Sequence, residues 1–152
     1  MSDQDNTETR TPHDFDFTRY HVDLSAATSD KSQIQCEDLD DVLGGIARGF
    51  KFLEQHPVRE AYDADSPLLL TLGVLSGTKF MTGLRTFFLA YSPLKRSLSG
   101  LPSAMWSAGS GKFATKLRYL GIDEIVFTGR SEKPVLLHIT RDPDNPEAET
   151  EF

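Results

Sequence analysis

The spacing of apolar residues changes along the chain between the period of a strand and the period of a helix. Residues 20–24 alternate apolar and polar side chains, which predicts a half-buried first strand. Residues 25–32 are polar and turn-like, and residues 33–36 predict a short return strand. Apolar residues then recur at helical spacing, which predicts an amphipathic helix over about 40–55.

That predicted helix has an acidic start and ends at Pro57, which cannot continue a helix. Its interior contains the pair Gly44-Gly45, and each helical glycine costs about 1 kcal/mol. Close packing of the helix on a sheet is the simplest reason to keep them.

The second half of the chain predicts further strands and a second helix. The run 67–74 is almost continuously apolar, so we expect a strand buried on both faces, followed by another strand at 84–91. The Ser/Gly-rich stretch 97–111 is expected to be irregular outside Ala104-Met105-Trp106. A short helix from Phe113 to Leu120 then ends at Gly121.

Two last strands, 122–128 and 135–140, are expected to pair as a hairpin across residues 129–134. The count is then about six strands and two helices, with strands in runs, which favours an α+β fold. Residues 1–15 and the acidic end 142–152 bury too little apolar surface to offset ordering entropy. We therefore expect disordered tails at 1–15 and 142–152 and one domain over 16–141.

Composition excludes several kinds of protein. The chain has 152 residues, a net charge of −7 and one cysteine, Cys36. One thiol cannot hold an iron–sulfur cluster or a four-cysteine zinc site, and the acidic balance argues against nucleic acid as a partner. The longest apolar run is far shorter than a membrane span, no secretory signal is present, and a reducing, cytoplasmic location is expected.

Candidate chemistry concentrates around Gly109-Ser110-Gly111-Lys112. A phosphate loop of the Walker type would need glycine at 106 and Ser or Thr at 113, where this chain has Trp106 and Phe113. Two interpretations remain: a plain tight turn, or an anion site at a helix N-terminus. The nearby cations are either a solvated face or part of a site for an anionic ligand or acidic partner; they are Lys95, Arg96, Lys112, Lys116 and Arg118.

The histidines and the single cysteine do not indicate a functional site. The four histidines are scattered, without ligand spacing, so no metal ligand is assigned. Cys36 is interpreted as a structural thiol, with a nucleophile as the less favoured alternative. No residue of this chain is assigned a catalytic role.

Several blocks, kept in order and spacing, resemble the N-terminal domain of the aldehyde ferredoxin oxidoreductases. Together they cover about residues 18–140. The blocks are Val22-Asp23-Leu24, Leu43-Gly44-Gly45, 73–78, Gly83-Leu84-Arg85, Ser92-Pro93-Leu94, 111–117, Gly121-Ile122-Asp123 and 129–135.

The resemblance implies a β-rich base for a tungstopterin or molybdopterin cofactor in an enzyme that oxidises aldehydes with ferredoxin as acceptor. It also implies that the four-iron four-sulfur cluster and the acid/base residues lie in later helical domains, here on a partner chain. The family's arginine between pterin and cluster falls on Arg85; the alternative interpretation of Arg85 is an exposed charge at the end of a strand. The cofactor-binding residues implied are Arg85, Gly109, Ser110, Gly111 and Lys112.

The chain departs from the family pattern at three polar positions. Ala108 replaces an asparagine, Ile46 an arginine and Tyr91 a lysine. Two functions therefore stay open. One is a subunit of an aldehyde ferredoxin oxidoreductase-type enzyme, catalytic only in a complex; the other is a non-catalytic scaffold, assembly or regulatory protein with a degraded cofactor site. For either, we expect a homo-oligomer or a stable complex with a partner subunit.

Overall fold

The computed structural model describes residues 15–36, 44–80, 83–141 and 148–152. These ranges contain eight strands and two helices. They are β1 Phe15–Asp23, β2 Thr28–Cys36, α1 Gly45–Gln55, β3 Leu68–Leu72, β4 Arg85–Arg96, β5 Pro102–Ser110, α2 Lys112–Tyr119, β6 Glu124–Thr128, β7 His138–Arg141 and β8 Ala148–Glu151.

Six strands form one sheet in the order β2-β1-β6-β3-β4-β5. The β1–β6 pair is parallel and the other neighbours are antiparallel. Strands β7 and β8 pair separately. The predicted α+β class is confirmed, with two helices packed on a mostly antiparallel sheet.

The two helices cover opposite faces of the six-stranded sheet. On one face, Phe52 and Leu53 of α1 pack on Leu69, Leu89 and Val126. On the other face α2 contributes to a second cluster, whose buried members are Tyr20, Val22, Leu70, Leu72, Ala114, Leu117, Ile122 and Ile125. Neither helix in the described ranges combines the length and apolarity that crossing a membrane requires.

The expected hairpin between 122–128 and 135–140 is wrong. Strand β6 lies in the centre of the sheet between β1 and β3, whereas β7 pairs with β8. Ile125 and Val126 point to opposite faces of the sheet, and both are buried. This is typical of a central strand, because both of its faces are covered by other parts of the protein.

The stretch 97–111 is also more regular than expected, because residues 102–110 form the edge strand β5. Its Ser, Ala and Gly residues carry little strand preference, and hydrogen bonds to β4 impose the extended conformation. Strand β2 likewise begins at Thr28, earlier than the predicted return strand.

Two other boundaries differ from expectation. The described part of α1 begins at Gly45 with Gly44 as its N-cap, so the glycine pair lies at the helix start, and the predicted acidic start falls outside the described residues. At the C-terminal end, Ala148–Glu151 form β8, while 1–14 and 142–147 lie outside the described residues. The domain bounds 16–141 stay a prediction.

Candidate functional site

The five predicted cofactor residues lie together at one end of the sheet. Arg85 begins β4 and pairs with Ser110 at the end of β5, while Gly109 pairs with Thr86. The Gly111 amide donates a hydrogen bond to the Leu84 carbonyl at 3.2 Å, and Lys112 begins α2. The pairing of β4 with β5 and the turn from β5 into α2 therefore bring these five residues together.

The start of α1 lies at the same end of the sheet. Gly44 forms an isolated bridge with Gly73, which follows the last residue of β3. A Cβ on Gly44 would lie 2.6 Å from the Leu72 carbonyl oxygen, so only glycine permits this approach. We call the region formed by Gly44, Gly73, Arg85, Ser110 and Gly111 the glycine end.

Both helices that begin at the glycine end have a glycine cap. Gly44 has φ 98° and Gly111 has φ 131°, and no side chain of the described residues caps either helix by a hydrogen bond. Nothing lies within 4 Å of where a Cβ on Gly111 would be, so the space beside α2 is open. Among the described residues, the first-turn amides of α2 are thus available to a negatively charged group.

Arg85 adds a permanent charge to these backbone donors. Residues directly opposite in an antiparallel pair share a face, so the Arg85 and Ser110 side chains project on the same side, with Cβ atoms about 5 Å apart. Strand alternation places Arg85 on the face of Phe87 and Leu89, the face covered by α1. Arg85, Ser110 and Lys112 are all exposed.

The sequence contains a charge signal that its motifs did not reveal. Residues 66–122 include no Asp or Glu although the whole protein has net charge −7. This segment supplies β3, β4, β5 and α2. Its seven cations are Lys79, Arg85, Lys95, Arg96, Lys112, Lys116 and Arg118. Gly73, Arg85, Ser110 and Gly111 of the glycine end therefore lie in an acid-free part of an acidic chain, which favours an anionic ligand. Gly44 lies outside that segment.

Arg118 fixes the loop that borders this end of the sheet. Its guanidinium donates to the Gly73 and Ser76 carbonyls at 3.1 Å each and to the Asp123 carboxylate. The other Asp123 oxygen accepts the Thr18 amide at 2.9 Å. Arg118 was predicted as part of a basic cluster, and its contacts tie α2 to the turn after β3.

The three departures from the family pattern have distinct surroundings. Tyr91 lies on β4, and its hydroxyl donates to the Leu53 carbonyl and approaches the His56 carbonyl at 3.3 Å, at the far end of α1. Ala108 is exposed on β5 opposite Phe87, and Ile46 is half-buried in the first turn of α1. Ala108 and Ile46 leave two positions near the glycine end without polar side chains.

A buried charge cluster was missed from sequence. Glu124 of β6 is fully buried and accepts hydrogen bonds from Arg19 Nε at 2.5 Å and Arg48 Nε at 2.8 Å. The Arg48 guanidinium lies 4.3 Å from the Phe17 ring centroid and that of Arg19 lies 4.8 Å from the Phe52 ring centroid. In the sequence, this cluster is indicated only by Glu124, a charged residue directly before the apolar pair Ile125-Val126.

Comparisons with known proteins identify the family of this chain. Residues 19–148 match the family "Aldehyde ferredoxin oxidoreductase, N-terminal domain". The tungsten-containing aldehyde ferredoxin oxidoreductase of Pyrococcus furiosus is 30% identical over 113 residues, covering 70% of this chain and 18% of the relative. That of Thermococcus kodakarensis is 33% identical over 98 residues, covering 64% of this chain and 15% of the relative.

A solved structure shares the fold. The active site complex BamBC of benzoyl coenzyme A reductase, in complex with 1,5-dienoyl-CoA, superposes with a TM-score of 0.70 at 25% identity, covering 90% of this chain and 20% of that chain.

The fold and the matched range define an oxidoreductase N-terminal domain. The chain belongs to the aldehyde ferredoxin oxidoreductase N-terminal domain family. It spans about a fifth of the length of the curated relatives it matches.

Proposed function

We propose that this chain seats the anionic part of a tungsten- or molybdenum-pterin cofactor in an aldehyde ferredoxin oxidoreductase-type enzyme. The observation that carries the proposal is the glycine end, where Arg85 and the glycine-capped N-terminus of α2 lie together and both belong to the acid-free segment 66–122. Phosphate groups fit this donor set, because backbone amides and a guanidinium both donate to phosphate oxygens.

The residues of the glycine end have separate tasks in this proposal. The amides that open α2 bind one anionic group, and the Ser110 hydroxyl donates a further hydrogen bond. Arg85 binds and orients the cofactor with a planar fork of donors, and Lys112 adds a mobile charge. The metal-pterin group, when bound, supplies the redox chemistry.

The remaining parts of the active enzyme come from elsewhere in this proposal. A four-iron four-sulfur cluster needs several thiolates, and this chain has one cysteine. The cluster and the helical domains are therefore proposed on a partner subunit, and aldehyde oxidation with ferredoxin as acceptor occurs only in the complex. The proposed location is the cytoplasm.

The proposal is tested by purifying the tagged chain with its bound partners from its own cells and measuring tungsten and molybdenum by mass spectrometry. We expect one of these metals to co-purify with the wild-type chain. Arg85→Ala should weaken cofactor retention by about 1.5–3 kcal/mol, roughly tenfold or more, which is the range for a hydrogen bond to a charged group.

Arg96→Ala is the matched control, because Arg85 and Arg96 are the first and last residues of the same strand. Arg96 pairs with the exposed Glu60, away from the glycine end. Metal content that is unchanged by Arg85→Ala would contradict the assignment of this residue.

The second candidate function is a non-catalytic scaffold, assembly or regulatory protein of the same family. Tyr91 favours this second function. The family pattern has a lysine at this position, whereas the Tyr91 hydroxyl is hydrogen-bonded to carbonyls at the end of α1 and offers no positive charge to a cofactor. Ala108 also offers no side-chain donor. A wild-type complex that contains partner chains but neither tungsten nor molybdenum would decide for this function.

A further inference from the structure

A second groove lies at the other end of α1, away from the glycine end. It is a cavity of about 410 Å³ over β1, β2 and β6. Helix α1 begins at the glycine end, and Phe52 and His56 at its other end form part of the wall of this groove. Eleven helical residues rise about 16 Å, so the two regions are separate.

One wall of the groove is apolar and rigid. The Phe52 and His56 rings stack with centroids 4.1 Å apart. His56 Nδ1 lies 2.8 Å from the Phe52 carbonyl oxygen, which fixes the imidazole. Val126 and Pro67, both buried, complete a surface that suits an aliphatic or aromatic group.

Arg19 supplies a fixed cation at the floor of the groove. Its Nε is bound to the buried Glu124 and its guanidinium lies over the Phe52 ring, and the side chain remains 23% exposed. Within the described ranges neither Nη atom has a hydrogen-bond acceptor. An arginine held at Nε with free terminal donors is preorganised for a carboxylate.

Two carboxylates line the same groove. Asp30 pairs with His21 while Arg19 pairs with the neighbouring Ser32, so Arg19 and Asp30 are diagonal neighbours about 7–8 Å apart. Glu124 holds the guanidinium, and neither Asp30 nor Asp65 forms an ion pair with any described residue. The groove therefore presents two carboxylates without an ion pair among the described residues, and a guanidinium bound only through Nε, beside an apolar wall.

We propose that this groove binds a zwitterionic α-amino acid with an apolar side chain. The ligand carboxylate accepts from the Arg19 Nη groups, the ammonium donates to Asp30 and Asp65, and the side chain packs on Phe52 and Val126. An ammonium and a carboxylate on one carbon, with a hydrogen bond of about 2.8 Å at each end, bridge a gap of this size. The volume lies within the range of small-molecule sites.

The experiment titrates the full chain with L-phenylalanine and L-leucine, following binding by calorimetry and by amide chemical shifts. We expect saturable binding at millimolar or lower concentration, with shifts confined to residues of the groove. N-acetyl-L-phenylalanine lacks the ammonium and L-phenylalaninamide lacks the carboxylate, so each should bind at least tenfold more weakly.

Variants of the chain separate ligand contacts from folding. Asp65→Asn should weaken binding about tenfold, whereas Asp63→Asn, the same change in the same loop but outside the groove, should not. Arg19→Lys keeps a charge for Glu124 but removes the spare donors, and should also weaken binding tenfold. No saturation at 10 mM, or equal binding of the N-acetyl compound, would overturn the proposal.

Discussion

Arg48 reaches from α1 to the fully buried carboxylate of Glu124 on β6, with Nε 2.8 Å from one oxygen and Nη2 3.3 Å from the other. A helix and a central strand, 76 residues apart in sequence, are joined by this contact. Arg19 shares the same carboxylate from β1. The interior of this domain therefore depends on one acidic side chain that serves two arginines.

Replacing Glu124 with Gln should lower the free energy of unfolding by about 3–5 kcal/mol, because it removes the buried negative charge that binds both Arg19 and Arg48. Urea unfolding followed by circular dichroism measures the change. Glu60→Gln is the control: the Arg96–Glu60 pair is largely exposed and should contribute less than about 1 kcal/mol. Equal losses for the two variants would show that burial does not matter here.

Gly49→Ala should destabilise the protein although alanine is the better helix former. A Cβ at Gly49 would lie 2.3 Å from Leu89 Cδ1 and 2.8 Å from its Cγ, and Leu89 is 1% exposed. We expect a net loss of about 1–3 kcal/mol from overpacking, beyond the gain of about 1 kcal/mol in helix propensity. A rise in the thermal midpoint of unfolding would contradict the close approach of α1 to the sheet.

Tyr91 should make stability fall at alkaline pH. Burial raises the pKa of Tyr91 above the ordinary value of 10.0, so the unfolded chain loses this proton first. The stabilisation is complete below about pH 10 and is lost as pH rises through the folded-state pKa. Tyr91→Phe should lower stability by about 1 kcal/mol at pH 7 and flatten the alkaline decline. An unchanged slope above pH 10 in the variant would contradict this account.

The exposed apolar residues around β5 should support association. Strand β5 is an edge of the sheet without a charged residue, whereas the opposite edge, β2, carries Asp30 and Lys31. The predicted contact residues are all exposed: Leu94, Leu98, Leu101, Met105 and Trp106. Edge strands without charge pair readily with other chains.

Light scattering should therefore give a mass above the 16.9 kDa monomer, or a partner chain should co-purify. Trp106→Glu should abolish the association, while Lys31→Glu on the other edge should leave it intact. A monomer at micromolar concentration without any co-purifying chain would count against the prediction.

The chain purified without partners should be colourless. One cysteine does not hold an iron–sulfur cluster, so elemental analysis should find less than about one iron or tungsten per several chains. Stoichiometric iron in a monomer would overturn this expectation. The purified complex with its partners is the positive control.

The parts of the fold that were predictable are those in which local pattern and final environment agree. Helix α2 follows from its apolar spacing and the glycine after it, and β3 follows from its unbroken apolar run. Strand β5 was not predictable, because its small residues acquire an extended conformation only through pairing with β4.

The glycine end was predictable only in part. Ser110 and Gly111 were found from the glycine turn before a predicted helix, and Arg85 was found through the family resemblance. The meeting of Gly44 with Gly73 depends on strand order, which periodicity does not encode. The Glu124 cluster was hidden for the same reason, because its partners are separated by 76 and 105 residues.

The central position of β6 has a consequence for folding kinetics. Its neighbours β1 and β3 are synthesised first, and until residue 128 has left the ribosome they have no strand between them. The nascent chain is then a β1–β2 hairpin and a separate β3–β4–β5 meander, joined by α1. The β1–β6 pairing joins residues more than 100 positions apart in sequence, so we expect slow folding, and a chain shortened before residue 124 should form no continuous sheet.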